Sequence, residues 1–557
     1  MAQTAALFFR KDGFDTGGKR LLGRQAAGEG FLRALVRHGR SDDLFCYAPT
    51  RGDFQEFCQL VKPAARPNQK AHWLEEQNPP QLARAGALFR PDAMINELAF
   101  QRRNIDPRAY SICGVTHTIA SRAAQRSIAE LLTAPVERWD ALICTSQAVR
   151  RTVQRLLDGY VEYLEERCGG RPELDLELPV IPLGVDVSAM PRGDAAVAAR
   201  ARLRDKLELA SDDVVLLFMG RLVFYAKAHP APLYLAAERA AKRTDKRLVL
   251  LLAGWFESAQ EEADFKALAA KLCPSVRTVF VDGREPDIRR DVWSASDIFI
   301  SLSDNIQETF GLTPIEAMAA GLPVIVTDWD GYRESVREGI EGLRIPTSLP
   351  PAGAARDLAS FFGVETISYS DYVANVSMAT AVDVTACEAA IVKLVDDANL
   401  RRQLGDNGYQ RARATYDWPV VIRQYEELWR ELGERRAAGP ARFAAKARVK
   451  NPLAPDPFEL YGHYATRSLG SSDHVTLAAG HELFEGLSES AMTRYGSQFR
   501  APRELCARLI QRLRAGETLT VAQVLESHPN EPRQTLLRSL GHLAKFDVIR
   551  ITSGGDT

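Results

Sequence analysis

Residues 213–219, DVVLLFM, are apolar on both faces once past the first position. A half-exposed strand alternates apolar with polar residues, so an unbroken run like this belongs to a parallel sheet covered on both sides. Similar runs recur at residues 5–9, 44–47, 111–118, 139–146, 247–253, 276–281, 298–302 and 324–327. Helical patterns fall between them at 19–38, 147–157, 261–272 and 287–296. This alternation predicts an α/β protein built on parallel sheets. A chain of 557 residues has room for about three to four domains.

Residues 297–321, DIFISLSDNIQETFGLTPIEAMAAG, concentrate the candidate chemistry. A short apolar strand leads through a polar loop into a helix. Thr313, Pro314 and Glu316 read as its N-cap, first helical residue and capping-box acid, and Gly321 and Pro323 stop it. Ahead of the helix, Gly311 between Phe310 and Leu312 allows close backbone approach. A glycine loop feeding a helix N-terminus presents N–H donors and a positive dipole end, which suits an anion. Glu308 and Glu316 bracket this point at E-x7-E spacing, although a loop acid and a capping acid would show the same spacing.

Other candidates lie at strand ends. Arg221 and Lys227 follow the 213–219 strand, where two cations suit a pyrophosphate as well as a solvated loop. His117, in GVTHT, lies at the carboxyl end of a strand, where open α/β sheets bind ligands. A lone histidine there is also a common structural group. The first strand runs into DGFDTGG (12–18) and a helix, the opening of a Rossmann-like unit; the loop is not G-x-G-x-x-G, so dinucleotide binding is not indicated.

The string QETFGLTPIEAMAAGLPVIVTDWDG (307–331), with GRL at Gly220 to Leu222, KAHP at Lys227 to Pro230 and GVTHT, resembles the donor site of the retaining GT-B glycosyltransferases of family 4. These are the glycogen-synthase-like, or glycosyl transferases group 1, enzymes. The resemblance extends to about residue 436. It implies two Rossmann-like domains facing a cleft: residues 1–185 on the acceptor side and 186–416 binding the nucleotide sugar, with a crossover helix at 417–436 returning to the first. PVIPLGVD (179–186) looks like the family's crossing between domains, with Pro182 and Gly184 as hinge residues.

The resemblance also implies roles. Glu316 binds ribose hydroxyls, Glu308 the sugar hydroxyls, and Arg221 and Lys227 the diphosphate, helped by the backbone of Phe310, Gly311, Leu312 and Thr313. Thr16, Gly17 and Gly18 lie under the diphosphate, and His117 hydrogen-bonds near the sugar. Lys227-Ala-His carries Ala where the family usually has Gly, a small departure. Asp328 and Asp330 spell the D-x-D that GT-A enzymes use to hold a metal. In a GT-B setting the segment reads as a site-lining loop, and neither metal nor cofactor is expected; the nucleotide-diphosphate sugar is the donor substrate.

A net charge of −1 and pI near 6.8 give no overall pull toward nucleic acid or anionic membrane. The eight cysteines are scattered with no C-x-x-C pair, which argues against a zinc cluster or disulfide scaffold and fits a reducing compartment. The N-terminus lacks a basic region before its short apolar run, and no apolar segment approaches membrane-spanning length. The expectation is a cytoplasmic protein without a transmembrane segment, peripheral membrane contact being left open.

Residues 437–460 are linker-like in Pro, Ala and Gly content, and the resemblance stops there. In residues 461–557, helices are predicted at 504–513, at 521–527 and after Asn530 as cap, with a strand at 547–551. This accessory domain weakly resembles a winged helix. From Arg442 onward 15 Lys/Arg stand against 12 Asp/Glu, which is thin for DNA binding. Homo-oligomerisation or docking of a protein partner is the expected use.

The sequence therefore points to a retaining, metal-independent glycosyltransferase that hands a sugar to a glycan, lipid-linked or small-molecule hydroxyl, as in polysaccharide biosynthesis. Two alternatives remain: a GT-B sugar-nucleotide epimerase, and a non-catalytic sugar-nucleotide sensor acting through the C-terminal domain.

Overall fold

The apolar runs become the strands of two parallel sheets. The computed structural model describes residues 4–14, 23–441 and 451–554, and the chain divides into the units Met1–Lys450 and Asn451–Thr557. The first sheet holds β1 (Thr4–Phe8), β2 (Asp43–Ala48), β3 (Lys70–Glu75), β4 (Gly86–Arg90), β5 (Ser111–Val115) and β6 (Ala141–Ile143), in the order β3-β2-β1-β4-β5-β6. The second holds β7 (Val214–Met219), β8 (Leu248–Gly254), β9 (Arg277–Asp282), β10 (Ile298–Ser301), β11 (Val324–Thr327) and β12 (Gly342–Ile345), in the order β12-β11-β10-β7-β8-β9. All pairings in both are parallel.

Counted within each half, both orders are 3-2-1-4-5-6. The order reverses between the first and fourth strands, and there the connections diverge to opposite faces and leave a crevice at the carboxyl ends. The crevices therefore open beside β1 and β4 and beside β7 and β10. Sequence patterning missed β3, β4 and β12. β3 reads KAHWLE and keeps only Leu74 fully buried, so it lacks a continuous apolar run.

The two passages between the halves run side by side. Val185 N–H donates to Tyr416 O (2.8 Å), and Trp418 N–H to Val185 O (3.1 Å). Trp418 packs on Gly184, where a Cβ would stand 2.3 Å from the indole, so this position requires glycine. The helix Trp418–Ala438 then buries Trp418, Tyr425 and Trp429 with Phe31 and Phe89 in the core of the first half. Helix Ala398–Arg411 runs on into a wider π-helical turn over Ala412–Tyr416. Between β12 and the later helices, a short antiparallel ladder of Thr347–Ser348 with Ala381–Val382 encloses helices Arg356–Gly363 and Tyr369–Met378.

In the second unit, helices Arg503–Arg514, Val521–Glu526 and Arg533–Lys545 pack Leu505, Leu509, Leu513, Leu536, Leu540 and Leu543 into one core. A three-stranded antiparallel sheet joins them, with His474–Leu477 between Leu519–Thr520 and Ile549–Thr552. The third helix starts from Pro532 rather than from an Asn530 cap; Pro has the φ a helix start needs and gives up an N–H that has no partner there. All eight cysteines are free thiols, and no helix among the described residues is long and apolar enough to cross a membrane.

Candidate active site

The crevice beside β7 and β10 gathers the candidate cations and acids. Lys227, after β7, forms an ion pair with Glu308, after β10, across 81 residues of chain. Thr309 N–H also donates to Glu308 Oε1 at 3.3 Å. Burial opposes charge on both side chains. The opposite charge of the partner outweighs it, holding Glu308 below the usual carboxylate range and Lys227 above the usual amine range. Arg221 lies 3.4 Å from Glu257 Oε1, and Tyr225 OH donates to Glu257 Oε2 at 2.7 Å. Each cation thus has a carboxylate neighbour.

The helix beside them departs from its sequence reading. It spans Leu312–Ala319 with Gly311 as N-cap at φ +84°, and no side chain caps it. Thr313 and Glu316 form no capping box. The reason is tertiary: Gly311 lies against the Tyr332 ring, with a Cβ there 1.9 Å from Cε1, so the chain turns into the helix two residues early. Pro314 becomes the third helical residue, and the buried Thr313 Oγ1 is left without a hydrogen bond. Glu316 is released from capping; burial pushes its carboxyl up against the pull of Arg289 and Lys227.

His117 lies just beyond β5, on a cavity lined also by Phe14, Phe31, Pro182 and Trp418 beside the crevice of the first sheet. Its neighbour Thr118 donates to Gln307 O at 2.9 Å, tying this strand end to the loop that carries Glu308. Ser146 Oγ likewise donates to Thr309 O at 2.9 Å. Glu334 accepts from Gln147 N–H (2.7 Å) and Ala148 N–H (2.8 Å), so an acid of one half caps a helix of the other. The structure brings Glu308, Lys227, Arg221, Phe310, Gly311, Leu312, Thr313 and Glu316 to one crevice edge and links His117 to it. Thr16, Gly17 and Gly18 lie outside the described residues.

Sequence reasoning missed Glu257, Gln307 and Tyr369. Gln307 Nε2 donates to Ala226 O (3.1 Å), next to Lys227, and its Oε1 accepts from Tyr369 OH (3.0 Å). The one available signal was position, since Glu257 follows β8 just as Arg221 follows β7. In the D-x-D string, Asp328 pairs with Arg344 at 3.0 Å and Arg333 at 3.4 Å. Among the described residues no group of three or more His, Cys, Asp or Glu is arranged to hold a metal.

Asp304, buried beneath the loop, accepts from Ser377 Oγ (2.9 Å) and His229 N–H (3.4 Å). Burial pushes its carboxyl up to about 6 despite these bonds. The folded state then holds a proton that the unfolded state releases near pH 4, so this group's contribution falls as pH rises from about 4 to 6. Asp304→Asn is expected to remove that component, on the order of 2–3 kcal/mol, in urea denaturation across this window. Parallel wild-type and variant curves would contradict it.

A family model described as glycosyl transferases group 1 matches residues 199–365, which contain Arg221, Lys227, Glu308 and Glu316. The D-inositol 3-phosphate glycosyltransferase of Nocardia farcinica is 33% identical over 170 residues, 30% of this chain and 36% of that protein. The protein of the same name from Rhodococcus jostii is 35% identical with the same coverage. The chain thus spans little more than a third of the length of these relatives. A solved glycosyltransferase from Rickettsia africae superposes with a TM-score of 0.50 at 14% identity, over 78% of this chain and 99% of its own. With the two six-stranded sheets, that likeness establishes the GT-B fold.

Proposed function

We propose that this chain is a retaining glycosyltransferase that moves a sugar from a nucleotide-diphosphate sugar to an acceptor hydroxyl. The observation that carries the reading is the Lys227–Glu308 pair at the carboxyl ends of β7 and β10, beside Arg221 and an uncapped helix start. Arg221, Lys227 and the amides of Leu312 and Thr313 stabilise negative charge as it develops on the departing diphosphate. Glu316 holds the ribose hydroxyls, Glu308 the sugar hydroxyls, and His117 approaches the sugar from the first half. The sugar C1–O bond to the diphosphate breaks while the acceptor oxygen bonds C1 on the same face, and the leaving phosphate oxygen takes the acceptor proton. In this reading fixed cations and a helix terminus do the work of a metal ion.

The relatives' names specify an inositol phosphate acceptor. The family match covers residues on the donor side, so the acceptor here is proposed only as an alcohol hydroxyl. Residues 461–557 are proposed as a docking or dimerisation module. Supporting this are the three helices packed with a three-stranded antiparallel sheet and the exposed Tyr464, Met492, Tyr495 and Phe499. A cytoplasmic location belongs to the same reading.

The test is thermal-shift binding to UDP-, GDP- and ADP-linked sugars in EDTA, with wild type and Arg221→Ala. Stabilisation by one nucleotide family, lost in the variant, is expected; a ligand at 100 times its Kd adds about 2.7 kcal/mol. No shift with any nucleotide would remove the transferase and sensor readings alike, binding without transfer would favour the sensor, and donor turnover without an acceptor would favour an epimerase.

A further inference from the structure

Asp330 receives a backbone hydrogen bond from Gly331 and still carries two structural costs. Its φ is +46°, in the left-handed region, which asparagine and aspartate enter more readily than other side chains but still far less readily than glycine. Its Oδ2 is shielded from solvent and has no hydrogen-bond partner. Buried polar atoms without partners are rare, and backbone strain coinciding with one is concentrated at ligand sites.

The turn around it is pinned and cannot relax. Trp329 Nε1 donates to Asn305 O at 3.1 Å. Gly331 packs so closely on the Glu308 loop that a Cβ would stand 2.7 Å from Phe310 Cα and 3.0 Å from Thr309 O. The Asp330 carboxyl is thus held against the loop carrying Glu308, with Glu308, Glu334 and Lys227 as the charged groups facing it. Lys227 is engaged by Glu308, and Glu334 by the amides of Gln147 and Ala148.

We propose that the Asp330 carboxyl contacts a hydroxyl of the transferred sugar and helps choose which sugar is accepted. This rests on the transferase reading above. A phosphate is the wrong ligand, because two neighbouring acids would repel it. A hydroxyl both donates and accepts, and so suits a carboxyl in either protonation state. Burial, reinforced by Glu308 and Glu334, pushes the Asp330 carboxyl well above the ordinary range, which favours the protonated form that can donate to a sugar oxygen.

The test uses the full chain and the nucleotide family that stabilises wild type, offered as free nucleoside diphosphate and as its glucose and galactose conjugates. Asp330→Gly removes the carboxyl and relieves the strained φ. It is expected to melt no lower than wild type, to bind the free diphosphate equally well, to lose the preference between the two conjugates and to fall at least about tenfold in kcat/KM. Asp330→Asn, which keeps a neutral donor, is expected to retain most of the activity. Asp330→Gly with wild-type kcat/KM and sugar preference, while Arg221→Ala still abolishes nucleotide binding, overturns the inference alone. An equal loss of free-diphosphate affinity also overturns it, by making Asp330 a structural residue. Absence of any nucleotide binding by wild type overturns the transferase reading and this inference with it.

Discussion

Lys227→Ala is expected to lower turnover by roughly two to three orders of magnitude, the usual cost of removing one group that stabilises developing anionic charge. It is also expected to destabilise the fold. Glu308 would keep its place on the loop but lose the ammonium that balances it, and removing one partner of this partly buried pair costs up to about 3 kcal/mol, the low end of the range for buried pairs. The Glu308 carboxyl would then rise, so the variant's deficit in urea denaturation should shrink as pH falls through that raised value. A second variant separates fold from function. Lys227→Met with Glu308→Gln removes both charges, and is expected to recover most of the stability and none of the turnover. Wild-type turnover in Lys227→Ala would remove the diphosphate-clamp assignment.

Gly311→Ala is expected to destabilise the protein by about 2–5 kcal/mol, combining backbone strain with overpacking. The residue holds φ +84° and ψ +88°, and its new methyl would overlap the Tyr332 ring. That ring has no room to withdraw: it is fully buried, and its hydroxyl is bonded to Ser301 Oγ at 3.0 Å. The helix start would shift, and with it the amides proposed to meet the diphosphate. Nucleotide-dependent stabilisation should therefore disappear along with part of the intrinsic stability. Gly486→Ala is the control, because a Cβ there meets nothing within 4 Å. Equal melting temperatures for the two variants would contradict the steric account.

Much of the architecture and of the candidate crevice was legible in one dimension. Continuous apolar runs such as residues 213–219 and 298–302 have no stable place except inside a two-sided parallel sheet, so their positions imply the layers. The cations after β7 and the acids around the helix start were visible for the same reason: strand ends and helix starts are local features, and the chemistry that follows them is adjacent in sequence. The D-x-D string was read as lining the site, but nothing local showed that Asp330 would be strained and left with an unpartnered oxygen.

What only the folded chain decided is pairing over distance. Local propensity places the helix cap at Thr313; the approach of Tyr332, about twenty residues away, moves it to Gly311, because packing of a buried aromatic outweighs one capping hydrogen bond. Lys227 finds Glu308 and Arg221 finds Glu257 because neighbouring strands of one sheet bring their ends together, and no sequence pattern records which loop faces which. β3, with its mixed side chains, becomes a strand because β2 offers it an edge to pair with. Apolar periodicity is a property of each segment and survives being read alone. A hydrogen bond, an ion pair or a strained φ is a property of two segments, and it exists only once the chain has brought them together.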